Sequence, residues 1–486
     1  MIEVAEVAET ANEAVPFRRK APPPVPGLLL LWSDDAPLYQ AFPLTAQPRL
    51  IGRLPSCPIA LTRDATISRR HAEVSLDAAT GELVVRDDAS RHGTYVDGAR
   101  IQGERRAPLA RTVLRVGASI FLGVADLGPH LALITRTPPT TSLFDDATRS
   151  VLGPSMRTFR AQVIEAAKTS APLLVLGESG AGKAAIAQLF HASGPRARGP
   201  FIAYNSATIT PNLADGELFG SVRGAYTGAE RDKQGAFVAA DTGVLFLDEL
   251  AELAPDVQAK LLQVVEDGWV RPVGADPSKR TRVDVAIVSA THADLRAAVE
   301  AGRFRGDLYQ RLRRRELRLP PLRERLEEVP FLLDHYRQQH DGAPPPSSAM
   351  VEACLLYSWP FNVRELINVV DAALALTRDQ HLDQLAIDAT ALVASHLRGT
   401  PMFWTDAPLA PAPTPESPAG AAAAASPTVP PPGATQSALA DAAFAAFTEN
   451  EHGGNVSAAA RARGIKSSTA HDMIARHRKR LMGHRD

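Results

Sequence analysis

The segment Gly177-Glu-Ser-Gly-Ala-Gly-Lys183 constrains this chain more than any other. It follows the apolar run Leu173-Leu-Val-Leu176 and precedes a helical pattern. Such a run reads as a buried strand, so the glycines fall at a strand-to-helix turn. At that turn backbone N–H groups can curl around a phosphate, the helix N-terminus adds positive potential, and a lysine reaches the outer oxygens. A second run, Val244-Leu-Phe-Leu247, ends in Asp248-Glu249. A carboxylate at a strand end can hold the hydration shell of Mg²⁺, and a neighbouring one can polarise an attacking water. The two segments together predict a nucleoside triphosphatase that uses Mg²⁺. Ala184 stands where most such loops place a hydroxyl residue for the metal.

Length and composition frame the rest. At 486 residues the chain exceeds one hydrophobic core. Lys+Arg number 53 and Asp+Glu 54, so net charge points to no polyanionic partner. Residues 461–486 are locally basic, with eight Lys/Arg against two Asp. Cys57 and Cys354 lie in different predicted domains, which implies neither a disulfide framework nor a metal cluster and fits a reducing cytoplasm. The longest early apolar run, Leu28–Trp32, is too short for a membrane span.

The pattern divides the chain into six parts. Residues 1–27 are acidic, then Pro-rich, and read as disordered. Residues 28–135 hold short alternating strands over 28–124, with a hairpin signal at Asp97-Gly98, and predict a β-sandwich. Residues 149–317 alternate strands and helices, as a parallel α/β sheet does. Residues 318–397 read as a helical lid. Residues 398–436 are a Pro/Ala-rich linker. Residues 437–486 return to a helical pattern. The fold class is thus multidomain, with a β-sandwich, an α/β P-loop core and helical segments after it; the family resemblances of these segments imply a helical lid and an all-α helix-turn-helix.

Between the two nucleotide motifs sits Gly224-Ala225-Tyr226-Thr227-Gly228-Ala229, which carries no charge for phosphate work. Glu217-Leu-Phe-Gly220, Leu319-Pro-Pro-Leu-Arg-Glu-Arg325 and Trp359-Pro-Phe-Asn-Val-Arg-Glu-Leu366 flank the core in order. With these segments, residues 149–397 resemble the AAA+ domain of bacterial enhancer-binding proteins, activators of sigma-54 RNA polymerase. The resemblance implies that Gly177, Glu178, Ser179, Gly180, Ala181, Gly182, Lys183 and Ala184 bind ATP. It implies that Asp248 supports Mg²⁺ through water, that Glu249 orients the attacking water, and that Asn205 holds Glu249 until the hexapeptide loop engages. Arg305 and Arg311, six residues apart, resemble arginine fingers aimed at a neighbour's ATP, whereas a lone arginine is ordinarily a solvated face. Fingers supplied in trans imply a homo-oligomeric ring, expected to be a hexamer. His292 stands at the sensor position, where Asn is frequent, and Arg364 resembles the lid arginine that senses nucleotide. Phe361 replaces a Gly in the lid motif. Gly224–Ala229 resembles the loop that touches the sigma factor, with Tyr226 in place of Phe.

The outer domains carry their own resemblances. Gly52-Arg53, Ser68-Arg69-Arg70-His71, Gly93-Thr94 and Val96-Asp97-Gly98 are similar to those of an FHA domain, which reads phosphothreonine. The likeness implies phosphopeptide contacts by Arg53, Ser68, Arg69 and His92, where His92 replaces the usual Asn. The implied partner is a phosphothreonine protein or a Ser/Thr kinase. Gly454-Asn455, Arg463-Gly464-Ile465 and Ser467-Ser-Thr469 resemble a Fis-type helix-turn-helix. That likeness places Ser467, Ser468, Thr469, His471, Asp472 and Arg476 on double-stranded DNA at an upstream activating site. The reading is a cytoplasmic, phosphothreonine-responsive activator of sigma-54-dependent transcription that hydrolyses ATP, with no membrane partner. Two alternatives stand: a DNA-binding regulator acting without sigma-54, and a phosphopeptide adaptor with a vestigial ATPase.

Overall fold

The computed structural model describes residues 22–135, 142–145, 148–207, 211–225 and 231–376. The helix-turn-helix, the linker, the end of the lid and Tyr226–Ala229 lie outside the described residues.

Two sheets, antiparallel except for the short parallel pairing of Arg49–Gly52 with Ile59–Ala60, make the N-terminal sandwich. In the first, Gly27–Ser33 runs between Ala36–Pro43 and Ser119–Val124, and the sheet continues through Val113–Val116, Thr94–Val96 and Ala99–Arg100. The second orders Ile59–Ala60, Arg49–Gly52, Ala72–Leu76, Leu83–Asp87 and Glu104–Ala107. The Asp97-Gly98 turn forms as its residue types require, with φ of 50° and 80°, the left-handed pair that suits a tight hairpin. Leu28, Leu30, Ile51, Val74, Val85, Leu114 and Phe121 fill the space between the sheets.

The strand Gly27–Ser33 departs from the usual sandwich strand because all seven of its residues are buried. Leu28 and Leu30 point into the sandwich, while Leu29, Leu31 and Trp32 belong to a second core. A register shift between Leu30 and Trp32 puts two neighbours on the same outer face. A helix not foreseen in the sequence, Gly128–Ile134, also contributes to that core through Leu133. The other side of the core is the lid: Leu322, Phe331, Leu332, Met350, Leu355 and Trp359. The sandwich is therefore docked on the lid by an apolar face.

The ATPase core is a five-stranded parallel sheet ordered Phe201–Asn205, Val244–Asp248, Ala286–Thr291, Leu173–Leu176 and Arg315–Arg318. Separate apolar clusters cover its two faces, which is why its strands read as continuous apolar runs. The edge strand Arg315–Arg318 is the exception. Its arginines, and Arg313 just before it, keep an exposed sheet edge charged, and charge discourages edge-to-edge pairing. The lid packs helices Val329–Arg337, Ser348–Leu356 and Asn362–Leu376 after two short 3₁₀ turns at Leu322–Glu324 and Leu326–Glu328.

Candidate nucleotide site and peptide-facing edge

The glycine loop joins strand Leu173–Leu176 to helix Lys183–Ser193. Gly180 and Gly182 have φ of 74° and 108°, a conformation that favours glycine. Gly180 has a second constraint: a Cβ there would stand 2.1 Å from the Phe361 carbonyl oxygen. The lid thus presses directly on the phosphate loop. Lys183 is buried, and its Nζ donates to the Gly177 carbonyl at 3.0 Å and lies 3.7 Å from Glu249 Oε1.

The carboxylate pair sits at the end of strand Val244–Asp248 of the same sheet, with Ala286–Thr291 between it and Leu173–Leu176. Asp248 Oδ1 accepts the Glu249 N–H at 3.0 Å. Burial first, and the adjacent Glu249 in addition, push the Asp248 carboxyl above its usual range despite nearby Lys183. Glu249 itself adopts φ 51°. Its other oxygen lies 2.7 Å from His292 Nδ1, at the end of strand Ala286–Thr291. Asn205 is paired in register with Asp248 across the sheet, and its Oδ1 accepts the Ala207 N–H at 2.9 Å. In this chain Glu249 is therefore contacted by His292 and Lys183, while Asn205 is paired in register with Asp248. Arg364 Nη1 donates to Ser179 Oγ at 3.1 Å. Phe361 has not displaced it from the phosphate loop.

The loop's own acid is the most constrained group of the site. Glu178 accepts both guanidinium arms of Arg323 at 2.6 and 2.7 Å and the Asn362 amide at 3.1 Å. These bonds overcome burial, the larger opposing influence, and hold the Glu178 carboxyl below its usual range. Asn362 also donates to the Ser179 carbonyl at 3.1 Å and accepts the Leu322 N–H at 2.7 Å. Buried Arg325 donates to the Ala181 carbonyl at 3.2 Å and to Glu328 at 2.8 Å. Sequence reasoning quoted Arg323, Arg325 and Asn362 only as parts of family strings. The signal it left unused was an acid inside the phosphate loop, since a carboxylate beside phosphate requires a cation.

Arg305 and Arg311 do not join this cluster. Arg305 pairs with Asp307 at 2.7 Å and Arg311 with Glu266 at 2.8 Å, both on exposed surface. The hexapeptide begins from a built base. Ser221 bridges to Lys233 and Val273, and the Ala225 Cβ approaches Gly274. Gly224 has φ 79°. Tyr226, Thr227, Gly228 and Ala229 lie outside the described residues.

At the far edge of the sandwich an open cavity of about 720 Å³ is lined by Arg53, Ser68, Arg69, Arg70, Arg91 and His92, among others. Ser68 Oγ accepts the Arg91 N–H at 3.2 Å, which leaves its own O–H available. His92 Nδ1 donates to the Thr66 carbonyl at 2.8 Å, which fixes the tautomer and turns Nε2 into an acceptor. His71 is internal: its Nδ1 accepts the Ser68 N–H at 3.1 Å, and its Nε2 donates to the Gly93 carbonyl at 3.2 Å. The DNA-facing candidates Ser467, Ser468, Thr469, His471, Asp472 and Arg476 lie outside the described residues.

A glycine cradle on a central parallel strand, a carboxylate pair on a nearby strand and a lid arginine on the loop define a P-loop nucleotide-binding domain of the AAA+ type. Comparison with known families agrees and is more specific. Residues 151–318 match the Sigma-54 interaction domain, residues 323–398 the AAA+ ATPase lid domain, and residues 49–123 the FHA domain. Response regulator protein PilR of Pseudomonas aeruginosa is 44% identical over 280 residues, covering 55% of this chain and 62% of PilR. Transcriptional regulatory protein XylR of Pseudomonas putida is 42% identical over 229 residues, covering 46% of this chain and 40% of its own. The Nif-specific regulatory protein of Azotobacter vinelandii is 40% identical over 243 residues, covering 49% and 46%. The chain thus spans between 40% and 62% of the length of these relatives. Among the described residues no helix is long and apolar enough to cross a membrane.

Proposed function

We propose that this chain is a sigma-54-dependent transcriptional activator. In this reading an oligomeric ring, a hexamer, hydrolyses ATP and uses the Gly224–Ala229 loops to remodel closed promoter complexes. Lys183 and the loop N–H groups bind the phosphates. Glu249 takes a proton from, or orients, the attacking water once His292 releases it. Arg305 and Arg311 reach a neighbour's γ-phosphate, which requires them to leave Asp307 and Glu266. Asp248, a half-buried carboxylate whose Oδ1 among the described residues accepts only the adjacent N–H, suits a hydrated Mg²⁺ held through water, with no hydroxyl from Ala184. The ion would neutralise phosphate charge.

The observation that carries the reading is the paired base at Ser221 and Val222, from which the hexapeptide begins in sequence, together with the absence of charge in Gly224–Ala229 for nucleotide chemistry. Its role in this reading is to deliver hydrolysis to a partner, and the match of residues 151–318 to the Sigma-54 interaction domain supports sigma-54 as that partner. The C-terminal segment binds duplex DNA, and the arginine-lined edge of the sandwich binds a phosphothreonine protein. The test is open-complex formation at a sigma-54 promoter by wild type and Thr227→Ala. The expected result is a variant that hydrolyses ATP but opens no promoter. A variant with full promoter opening would refute the role of the loop.

A further inference from the structure

The sandwich touches the ATP site through one residue of the lid. Arg111 Nη2 donates to the Arg323 carbonyl at 2.9 Å, and the Arg323 guanidinium clasps Glu178 in the phosphate loop. The main chain of Arg323 is thus tied to the N-terminal domain and its side chain to the P-loop.

Around this strut the two domains are locked together. Arg115 Nε donates to Glu352 Oε2 at 2.7 Å, with both side chains largely buried. Arg115 also lies 3.6 Å over the Tyr95 ring. The other oxygen of Glu352, Oε1, is buried without a partner, so loss of Arg115 would leave that carboxylate uncompensated. Tyr39 meets Phe331 edge-on at 6.3 Å and bonds His130 at 2.7 Å.

We propose that the N-terminal sandwich is part of the frame of the ATP site. Docked on the lid, it holds Arg323 where Arg323 neutralises Glu178, and so it sets the affinity of the P-loop for nucleotide. The proposal rests on the reading of Gly177–Lys183 as an ATP site. Its physical core is charge. Glu178 sits in a loop built to receive a triphosphate, and an unpaired carboxylate there repels the ligand. Arg323 cancels that repulsion only while its backbone is held. Arg111, Arg115 and Arg323 are positioning residues, since none touches the reacting atoms.

The lock also continues toward the arginine-lined edge. Arg115 Nη1 donates to the Gly117 carbonyl at 3.3 Å, and the next residue, Ala118, donates to Thr66 Oγ1 at 2.7 Å. The Thr66 carbonyl is the one that accepts from His92. A ligand that shifts the Thr66–Arg69 loop therefore has a bonded route to the lid, and coupling of this kind is reciprocal.

The test uses the full chain. Glu352→Arg and Arg115→Glu each break the lock, and the double swap restores an ion pair. Hydrogen exchange over Gly27–Ser33 and Val329–Arg337 reports whether the docked faces separate. Each single variant should raise the KM for ATP by about fivefold or more with kcat within about twofold, and the swap should return KM toward wild type. Arg323→Ala should raise KM by about tenfold, and adding Glu178→Gln should recover part of that loss because the repelling charge is gone. Separation of the faces with an unchanged KM, or no recovery by Glu178→Gln, overturns the proposal while the ATP reading stands. A wild-type chain that binds no ATP overturns both, although the docked faces would still protect each other from exchange.

Discussion

The chain carries two anion-ready sites that differ in how their cations are kept. In the ATPase each candidate cation already has a partner from the chain itself: Lys183 with Glu249 and the Gly177 carbonyl, Arg323 with Glu178, Arg364 with Ser179, Arg305 with Asp307 and Arg311 with Glu266. At the sandwich edge the side chains of Arg53, Arg69 and Arg91 have no hydrogen-bonding or ionic partner among the described residues, whereas Arg70 pairs with Asp88 and Glu73. Engaged cations must exchange partners before they act, so their chemistry can be gated by nucleotide or by a neighbouring subunit. Unengaged cations on loops held by the sandwich need break no existing ion pair to bind, although their side chains must still be ordered.

The sharpest break of this comparison is Arg311→Ala. If Arg311 leaves Glu266 to serve a neighbour's γ-phosphate, turnover should fall by about 10³-fold or more. Glu266→Ala, which only frees Arg311, should not reduce turnover. Steady-state ATPase of both variants at a concentration that favours assembly checks this, and equal loss in both would make the pair structural.

The free cations set the next effect. Arg53→Ala should weaken binding of a phosphothreonine peptide by about tenfold or more, since charge-assisted bonds to a desolvated anion contribute about 1.5–3 kcal/mol. Titration calorimetry with phosphorylated and unphosphorylated peptide decides it. Equal binding of the two peptides would mean that the edge does not read phosphate.

His292 tests gating inside the engaged site. Its bond holds Glu249 against the sensor strand. His292→Ala should change kcat severalfold while ATP affinity, measured with a non-hydrolysable analogue, stays within about twofold. A large loss of affinity would make His292 a nucleotide contact instead.

The smallest expected effect lies in the joint core. Burial, with Glu328 beside it, pushes the Glu327 carboxyl up to about 8. A carboxyl raised in the folded state binds its proton more tightly there than in the unfolded chain. That stability is fully present below pH 4.5 and is lost as pH rises through about 8. Glu327→Gln should flatten the fall in thermal midpoint between about pH 5 and 8, and an unchanged slope there would assign the fall to other groups.

The sequence by itself determined the local chemistry. A glycine loop needs backbone conformations that few residues allow, so Gly180 and Gly182 announce their turn. A strand-end Asp-Glu pair, an Asp-Gly hairpin and an apolar strand covered on both faces are equally local statements. The docking of the sandwich on the lid was written less directly. Leu28–Trp32 is a continuous apolar run in a domain whose strands should alternate, which is the mark of a second covered face, yet the run does not say what covers it. Only the tertiary structure decided that the lid does, that Arg323 joins the sandwich to Glu178, and that His292 bonds Glu249. The physical reason is distance along the chain. Arg111 meets a residue 212 positions away, Arg115 one 237 away, and Glu178 one 184 away. Each charged partner was visible as a residue type, but its choice among many acids and arginines depends on packing that no local pattern encodes.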